Sequence, residues 1–180
     1  MKDREQGRHL PRLRRRYPRI PIVTTVATPA RVLVVGFGNS LMADDGAGPE
    51  VVRRLNDGHL PAGVRAEDGG ADSLRLPGLW RGEPDIWLVD AVTGGGEPGS
   101  IIRLGHDEVL ALPQRHATAH ALSLPEGLRW ISLSYREMAT VRYRFWGLVV
   151  RRLSLVSGLS DEVGAAVDRL VLEILRELEH

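Results

Sequence analysis

The stretch VLVVGFGNSLMADDGAG, Val32–Gly48, constrains the fold of this chain more than any other part of the sequence. It contains most of a short apolar run, Arg31–Val35, that is rich in β-branched residues and ends at a glycine, which is typical of a buried strand. Pro49 then opens the stretch PEVVRRLND, whose valines and leucine share one helical face before Gly58. A strand, a glycine loop and a helix in this order predict the first unit of an α/β fold.

The rest of the chain continues the alternation of strands and helices. Ser73–Trp80 is predicted to form a short helix at best, because it contains a proline and a glycine. The clearest helix follows Ser160, which is predicted to cap it, with acids in the first turn and one apolar stripe. Four further strands are predicted, at Val64–Glu67, Asp85–Val92, Ser100–Leu104 and Phe145–Val150. The fold class that follows is α/β, a three-layer α/β/α sandwich with a largely parallel, twisted sheet of about five strands.

The composition limits both the number of domains and the chemistry. A chain of 180 residues is long enough for one domain with a proper core, and we expect a single α/β domain over residues 31–180. The absence of cysteine excludes disulfides, thiolate metal sites and cysteine nucleophiles, so any metal would bind oxygen or imidazole. The apolar runs are too short to span a bilayer, and a cytoplasmic protein without a membrane partner is expected.

Residues 1–30 are interpreted as a separate basic arm. Lysines and arginines crowd the first 31 residues, prolines recur and no amphipathic period is present, so the arm is expected to be disordered or loosely attached. An arginine-rich arm could contact nucleic acid, and RRRYPRIPIVTTVATPA faintly resembles a twin-arginine export signal with a weak apolar region. A solvated tail, or a start site assigned too far upstream, fits the composition better, and no nucleic-acid partner is expected.

The glycine loop suits a cation better than a phosphate. GFGNSL carries the first two glycines of the dinucleotide motif G-x-G-x-x-G, but Leu41 occupies the position of the third. The adjacent Asp44 and Asp45 would repel a pyrophosphate, because two unit charges about 4 Å apart cost roughly 4 kcal/mol at an effective dielectric of about 20. The alternative is that the two aspartates only cap the helix that follows them.

A third acid and two histidines are the other candidates for chemistry. Asp90 follows directly on an apolar strand, so it would lie at the carboxyl edge of the sheet, close to Asp45 if the two strands are parallel. The alternative for Asp90 is a turn aspartate that accepts hydrogen bonds from the amides of the TGGG turn. His116 and His120 are four residues apart and could share one helical face as a two-histidine site, or be ordinary surface histidines.

Three motifs, in this order along the chain, resemble those of the hydrogenase maturation protease family. VLVVGFGNSLMADDGAGPEVVRRL is similar to its opening G-x-G-N-x-L loop with an acidic pair and a glycine. VRAEDGGADSLRLPGLWRGEPDIWLVDAVTGGGEPGSIIRL is similar to its DGG turn, its VDAV strand and the glycine–proline turn after it. The third motif is a histidine followed by an apolar residue four positions later, an acid six positions later and a second apolar residue eight positions later. His116 does not meet this spacing, whereas His120 meets it with Leu124, Glu126 and Leu128.

The resemblance implies an endopeptidase that removes the C-terminal extension of a nickel–iron hydrogenase large-subunit precursor after nickel insertion. Carried over residue by residue, it implies that Asp45, Asp90 and His120 are both the catalytic and the metal-contacting residues. Nickel would be carried by the substrate, other divalent metals could occupy the site, and the protein would act as a monomer. Two carboxylates and one imidazole leave positions open on a metal, so a metal-activated water and an aspartic-type mechanism both fit. The other hypotheses are a non-catalytic nucleotide- or metal-binding α/β module and a nucleic-acid binder that uses the basic arm.

Overall fold

The structure is a computed structural model that describes residues 31–112, 124–151 and 158–179. Its elements, in chain order, are β1 (Val32–Phe37), α1 (Ala47–Asp57), β2 (Val64–Gly70), α2 (Leu76–Leu79), β3 (Asp85–Thr93), β4 (Ile101–Leu104), α3 (His106–Leu110), α4 (Leu124–Ser134), β5 (Arg142–Val150) and α5 (Asp161–Leu178). Short 3-10 turns precede α1, α2 and β5, at Ala43–Gly46, Ser73–Arg75 and Arg136–Met138. No helix in the described part of the chain has the length and apolarity needed to cross a bilayer.

The five strands form one sheet in the order β2-β1-β3-β5-β4. The first four of these run parallel to one another, and β4 pairs antiparallel with β5 at the edge. The predicted fold class is therefore confirmed. From β1 the chain passes to β2 on one side and then returns to β3 on the other, so the direction of winding reverses between β1 and β3. Such a reversal opens a crevice at the carboxyl ends of the two strands.

Two hydrophobic clusters cover the two faces of the sheet. One face packs against α1 and α5, and the other packs against α2, α3 and α4. Successive residues of β1 point to opposite faces, with Val34 in the first cluster and Leu33 and Val35 in the second. The apolar stripe predicted for the last helix is confirmed, because the first cluster contains buried side chains of α5 at Val163, Val167, Leu170 and Ile174.

Element boundaries differ from those predicted in β2, α1 and β5. The second strand was predicted to end at Glu67 but continues to Gly70, because it pairs with β1 over that whole range. The first helix begins at Ala47 and contains Pro49 in its first turn, where a missing amide hydrogen removes no helical hydrogen bond. The last strand begins at Arg142, three positions before the predicted start at Phe145. Its first residues alternate between exposed arginines and the buried ring of Tyr143, so this end of β5 is half-buried and carries less apolar character than the rest.

The connection from β4 back to β5 contains the helices α3 and α4. At the start of α3, the Nδ1 atom of His106 accepts a hydrogen bond from the Tyr143 amide at 3.1 Å and so continues the edge of the sheet beyond β4. In α4, Gly127 lies against Ser73, whose Oγ would be 1.9 Å from a Cβ atom at position 127. The glycine therefore permits close packing of α4 on the 3-10 turn, and Pro125 is tolerated in the first turn of the helix.

Candidate active site

The glycines after β1 allow the backbone of three elements to approach closely. A Cβ atom at Gly36 would lie 2.1 Å from the carbonyl oxygen of Gly48, and one at Gly48 would lie 2.2 Å from the carbonyl oxygen of Phe37. Gly38 has a φ of +132°, and a Cβ there would lie 1.9 Å from the carbonyl oxygen of Asp45. These contacts place the loop and the start of α1 directly on β1. The glycines thus serve backbone packing at the crevice.

Asp45 is held in this loop by its own carboxylate. Its Oδ2 atom accepts a hydrogen bond from the Asn39 amide at 2.8 Å, and the Oδ1 atom of Asn39 accepts one from the Leu41 amide at 3.0 Å. The Asp45 side chain is half-buried. Ala43, in the same loop, has a φ of +46°, a conformation that residues with a Cβ rarely adopt. The backbone amide of Asn39 therefore orients Asp45, and Asn39 is the asparagine of the G-x-G-N-x-L motif.

Asp44 has a different role from its neighbour. Its side chain is buried, and it accepts hydrogen bonds from the Ser160 amide at 2.7 Å and from the Ser160 hydroxyl at 3.1 Å. Ser160 occupies the N-cap position of α5 as predicted, but its own side chain does not cap that helix. The alternative that the two aspartates only cap the helix after them is therefore wrong, because no side chain caps α1 and Asp44 binds the start of α5.

Asp90 lies in β3 at the same edge of the sheet as the glycine loop. The register pairs Gly36 of β1 with Val89 of β3 in parallel, so Asp90 lies beside the point where β1 ends, and β3 continues to Thr93. Burial raises the pKa of Asp90 from its ordinary value of 3.8 to about 7, a hydrogen bond from the Ala91 amide at 2.8 Å lowers it, and the negative charge of Asp45 raises it. The effect of Asp45 on this pKa places both carboxylates in one electrostatic environment. Asp90 accepts a hydrogen bond from the Ala91 amide and not from the glycine turn, in contrast to the turn-aspartate alternative.

The two carboxylates could carry out two kinds of chemistry. With a pKa of about 7, Asp90 exchanges its proton near neutral pH, as a general acid or base requires. The pair could also ligate a divalent cation, which would have to displace the proton of Asp90 and would be favoured by the charge of Asp45. Both possibilities require the two carboxylates to act together.

The histidines that the sequence singled out, His116 and His120, lie outside the described residues. Within the described ranges, no group of three histidine, aspartate or glutamate side chains is arranged to hold a metal ion. The three residues that share the proposed motif with His120 lie on α4. Leu124 and Leu128 are buried in the second hydrophobic cluster, and Glu126 is half-buried. The third ligand of the predicted trio therefore stays a prediction.

A cleft of about 450 Å³ adjoins Asp90 on the side of α4. Its walls are mainly apolar and include Val92, Ile102, Leu124 and Phe145. A larger groove of about 930 Å³ runs between α1 and α5, with charged walls that contain neither Asp45 nor Asp90. We assign the candidate site to the smaller cleft because Asp90 lines it, although the groove between α1 and α5 is larger.

The sequence comparisons with known proteins identify the same protein family. Residues 49–177 match the sequence profile of the HycI hydrogenase maturation protease family. A protein of Methanocaldococcus jannaschii named as a candidate hydrogenase maturation protease is 33% identical over 150 residues, which cover 82% of this chain and 96% of that protein. The hydrogenase 2 maturation protease of Escherichia coli is 27% identical over 150 residues, covering 82% of this chain and 90% of the relative.

Solved structures agree with these sequence relatives. The [NiFe] hydrogenase maturation protease HybD of Thermococcus kodakarensis superimposes with a TM-score of 0.66 and 30% identity, covering 82% of this chain and 98% of that one. The hydrogenase maturating endopeptidase HybD of Escherichia coli superimposes with a TM-score of 0.70 and 25% identity, covering 83% and 92% of the two chains. The likeness therefore extends over most of this chain and nearly the whole of each solved structure.

Proposed function

The chain belongs to the hydrogenase maturation protease family, and from that premise we propose that it removes the C-terminal extension of a nickel–iron hydrogenase large-subunit precursor. As a member of this family it is a peptidase. Cleavage would follow nickel insertion, and the nickel would be carried by the precursor and recognised there. The observation that carries this proposal is the convergence of Asp45 and Asp90 at the crevice between β1 and β3.

The proposed site consists of Asp45, Asp90 and His120. Asp45 is held by the Asn39 amide and Asp90 by the Ala91 amide, so both carboxylates have fixed orientations before substrate binds. Two carboxylates and one imidazole would satisfy only part of the coordination of a divalent metal, which leaves room for ligands from the precursor itself. In this proposal nickel is part of the substrate, and no cofactor is assigned to the protease.

Cleavage by this site would depend on the two carboxylates in one of two ways. A metal contacted by the site could polarise the scissile carbonyl or lower the pKa of a water molecule. Alternatively, the two aspartates could share one proton and activate water directly, as paired carboxylates do when like charges raise one pKa. The raised pKa of Asp90 near Asp45 is compatible with both, because a metal and a proton compete for the same carboxylate.

The test is precursor cleavage by five variants of the full chain, which include His116→Ala as the control for the choice of histidine. Asp45→Asn and Asp90→Asn preserve size and remove charge, and His120→Ala removes the proposed imidazole. Each should reduce cleavage of a nickel-loaded precursor by about 1,000-fold or more, because residues that act as a unit fail as a unit. Asp44→Asn is the matched control, since it neutralises the adjacent aspartate and keeps an oxygen acceptor for Ser160.

The measurements are the mass loss of the precursor and the unfolding midpoint of each variant. Retention of cleavage by His120→Ala, with loss in His116→Ala, would show that the wrong histidine was assigned. Full activity of Asp45→Asn would remove the proposed site altogether. Tight binding of a dinucleotide by the wild-type protein, with no cleavage of the precursor, would favour the non-catalytic module instead.

A further inference from the structure

Asp44 is a buried carboxylate that the proposed chemistry does not use. It is 7% exposed, and both of its oxygen atoms are bound to one residue that lies far away in the sequence. Oδ1 accepts the Ser160 amide at 2.7 Å, and Oδ2 accepts the Ser160 hydroxyl at 3.1 Å. This pair of hydrogen bonds, here called the Asp44–Ser160 clasp, joins the loop after β1 to the start of α5.

The clasp does more than satisfy the end of a helix. A serine at an N-cap usually accepts a hydrogen bond from an amide of its own helix, but here the hydroxyl of Ser160 donates to the loop. The negative charge of Asp44 also lies at the amino-terminal end of an 18-residue helix, where the helix dipole favours it. The start of α5 is thus used as a fixed support for the loop that carries Asp45.

A short chain of contacts connects the clasp to Asp45. Asp44 and Asp45 are consecutive in one 3-10 turn, which Ala43 enters with a positive φ. The Asp45 amide donates to the Met42 carbonyl at 3.0 Å, and the Asp45 carboxylate accepts the Asn39 amide at 2.8 Å. Because the turn is short and begins in a disfavoured conformation, release of Asp44 would let it relax and carry Asp45 away from Asn39.

We propose that Asp44 is a positioning residue, which the clasp to Ser160 fixes so that Asp45 is held beside Asp90. Its importance for cleavage rests on the proposed function, through the role assigned to Asp45. Its effect on the position of Asp45 is independent of that function and can be measured separately. The Asn39 amide donates a hydrogen bond to the Asp45 carboxylate, and loss of this bond should speed the exchange of that amide with solvent.

The experiment compares Asp44→Ala, Asp44→Asn and Ser160→Ala with the control Asp161→Ala. Asp161 is an exposed acid in the first turn of α5, so its removal changes the charge at the helix end without touching the clasp. Two quantities are measured: kcat and KM for cleavage of the nickel-loaded precursor, and amide hydrogen exchange at Asn39 by NMR. Gly38, whose amide donates to the Gly70 carbonyl at 3.0 Å, is the internal reference for exchange.

For Asp44→Ala we expect kcat to fall about 100-fold with KM nearly unchanged, since a small misplacement of a reacting group lowers the rate and not the affinity. Exchange at Asn39 should accelerate about tenfold while Gly38 stays protected. Asp44→Asn, which keeps an acceptor for the Ser160 amide, should recover most of both properties. Ser160→Ala, which removes only the hydroxyl, should lie between Asp44→Asn and Asp44→Ala and gives the same comparison if Asp44→Ala does not fold.

Two results would overturn the proposal. The first is unchanged exchange at Asn39 in Asp44→Ala and Ser160→Ala, which would show that the clasp does not hold Asp45. The second is an equal fall of kcat in Asp161→Ala, which would assign the effect to charge at the helix end. If the wild-type protein leaves the precursor uncut, the proposed function fails, and the exchange measurement still decides whether the clasp holds Asp45.

Discussion

Replacing Asp90 by asparagine should stabilise the folded protein at pH 8 and abolish cleavage at the same time. Asparagine keeps the size of the side chain and an Oδ1 atom that can accept the Ala91 amide, which lies 2.8 Å away. It removes a charge that is disfavoured first by burial and also by the charge of Asp45. A substitution that stabilises the fold and removes activity would identify Asp90 as a residue kept for chemistry at a cost in stability.

The magnitude follows from the pKa of Asp90 in the folded and unfolded chains. Folding raises this pKa from 3.8 to about 7, so between these values the folded protein binds more protons than the unfolded chain. The stability contributed by the protonated form is therefore complete below pH 3.8 and is lost as the pH rises through 7. The full loss is at most about 4 kcal/mol, and we expect about 2 kcal/mol because solvent screens a carboxylate that is only half-buried.

The assay is denaturant unfolding of the wild-type protein and Asp90→Asn between about pH 5 and pH 8. The variant should be the more stable protein at pH 8, and its advantage should shrink as the pH is lowered. Asp85→Asn is the matched control, because it removes a carboxylate from the opposite end of the same strand. An advantage that does not grow with pH, or a variant that is less stable at pH 8, would refute the reasoning.

Three further predictions concern the stability of the fold. Arg65→Ala should lower the free energy of unfolding by about 3 kcal/mol, because Glu83 is 1% exposed and loses a hydrogen bond of 2.8 Å. Arg53→Ala is the control, since Arg53 forms exposed ion pairs, and its free energy of unfolding in the same denaturant titration should stay close to that of the wild type. Gly36→Ala should cost about 3 kcal/mol, since its Cβ would lie 2.1 Å from a backbone oxygen. Gly164→Ala should instead raise the melting temperature by adding about 0.5–1 kcal/mol, because it lies in α5 with nothing within 4 Å of the new Cβ.

The sequence was sufficient for the sheet because its central strands are buried on both faces. The apolar runs at β1 and β3 are typical of buried strands, and the apolar stripe of α5 is long enough to show a helical period. The start of β5 was missed for the opposite reason. There the outward positions are arginines and only Tyr143 points inward, so the pattern is too short to separate from a polar loop.

The site was predicted only as far as local sequence allows. The convergence of Asp45 and Asp90 follows from parallel strands and a glycine loop, both of which are visible in the sequence. The division of labour between Asp44 and Asp45 is not visible, because the partner of Asp44 is Ser160, 116 residues further along the chain. Asp44 and Asp45 are adjacent and of the same type, and their roles differ because Asp44 contacts Ser160 in the folded protein.

The contact between the first loop and the last helix has a consequence for synthesis on the ribosome. The segment with Asp45 emerges early, but the hydrogen bonds from Ser160 to Asp44, and the ion pair between Arg54 of α1 and Asp168 of α5, need residues that emerge much later. A nascent chain can therefore form β1 and α1 and still lack the support of its proposed cutting site. With the role proposed for the clasp, the protein would reach its full rate of cleavage only after nearly all of its own chain had been translated.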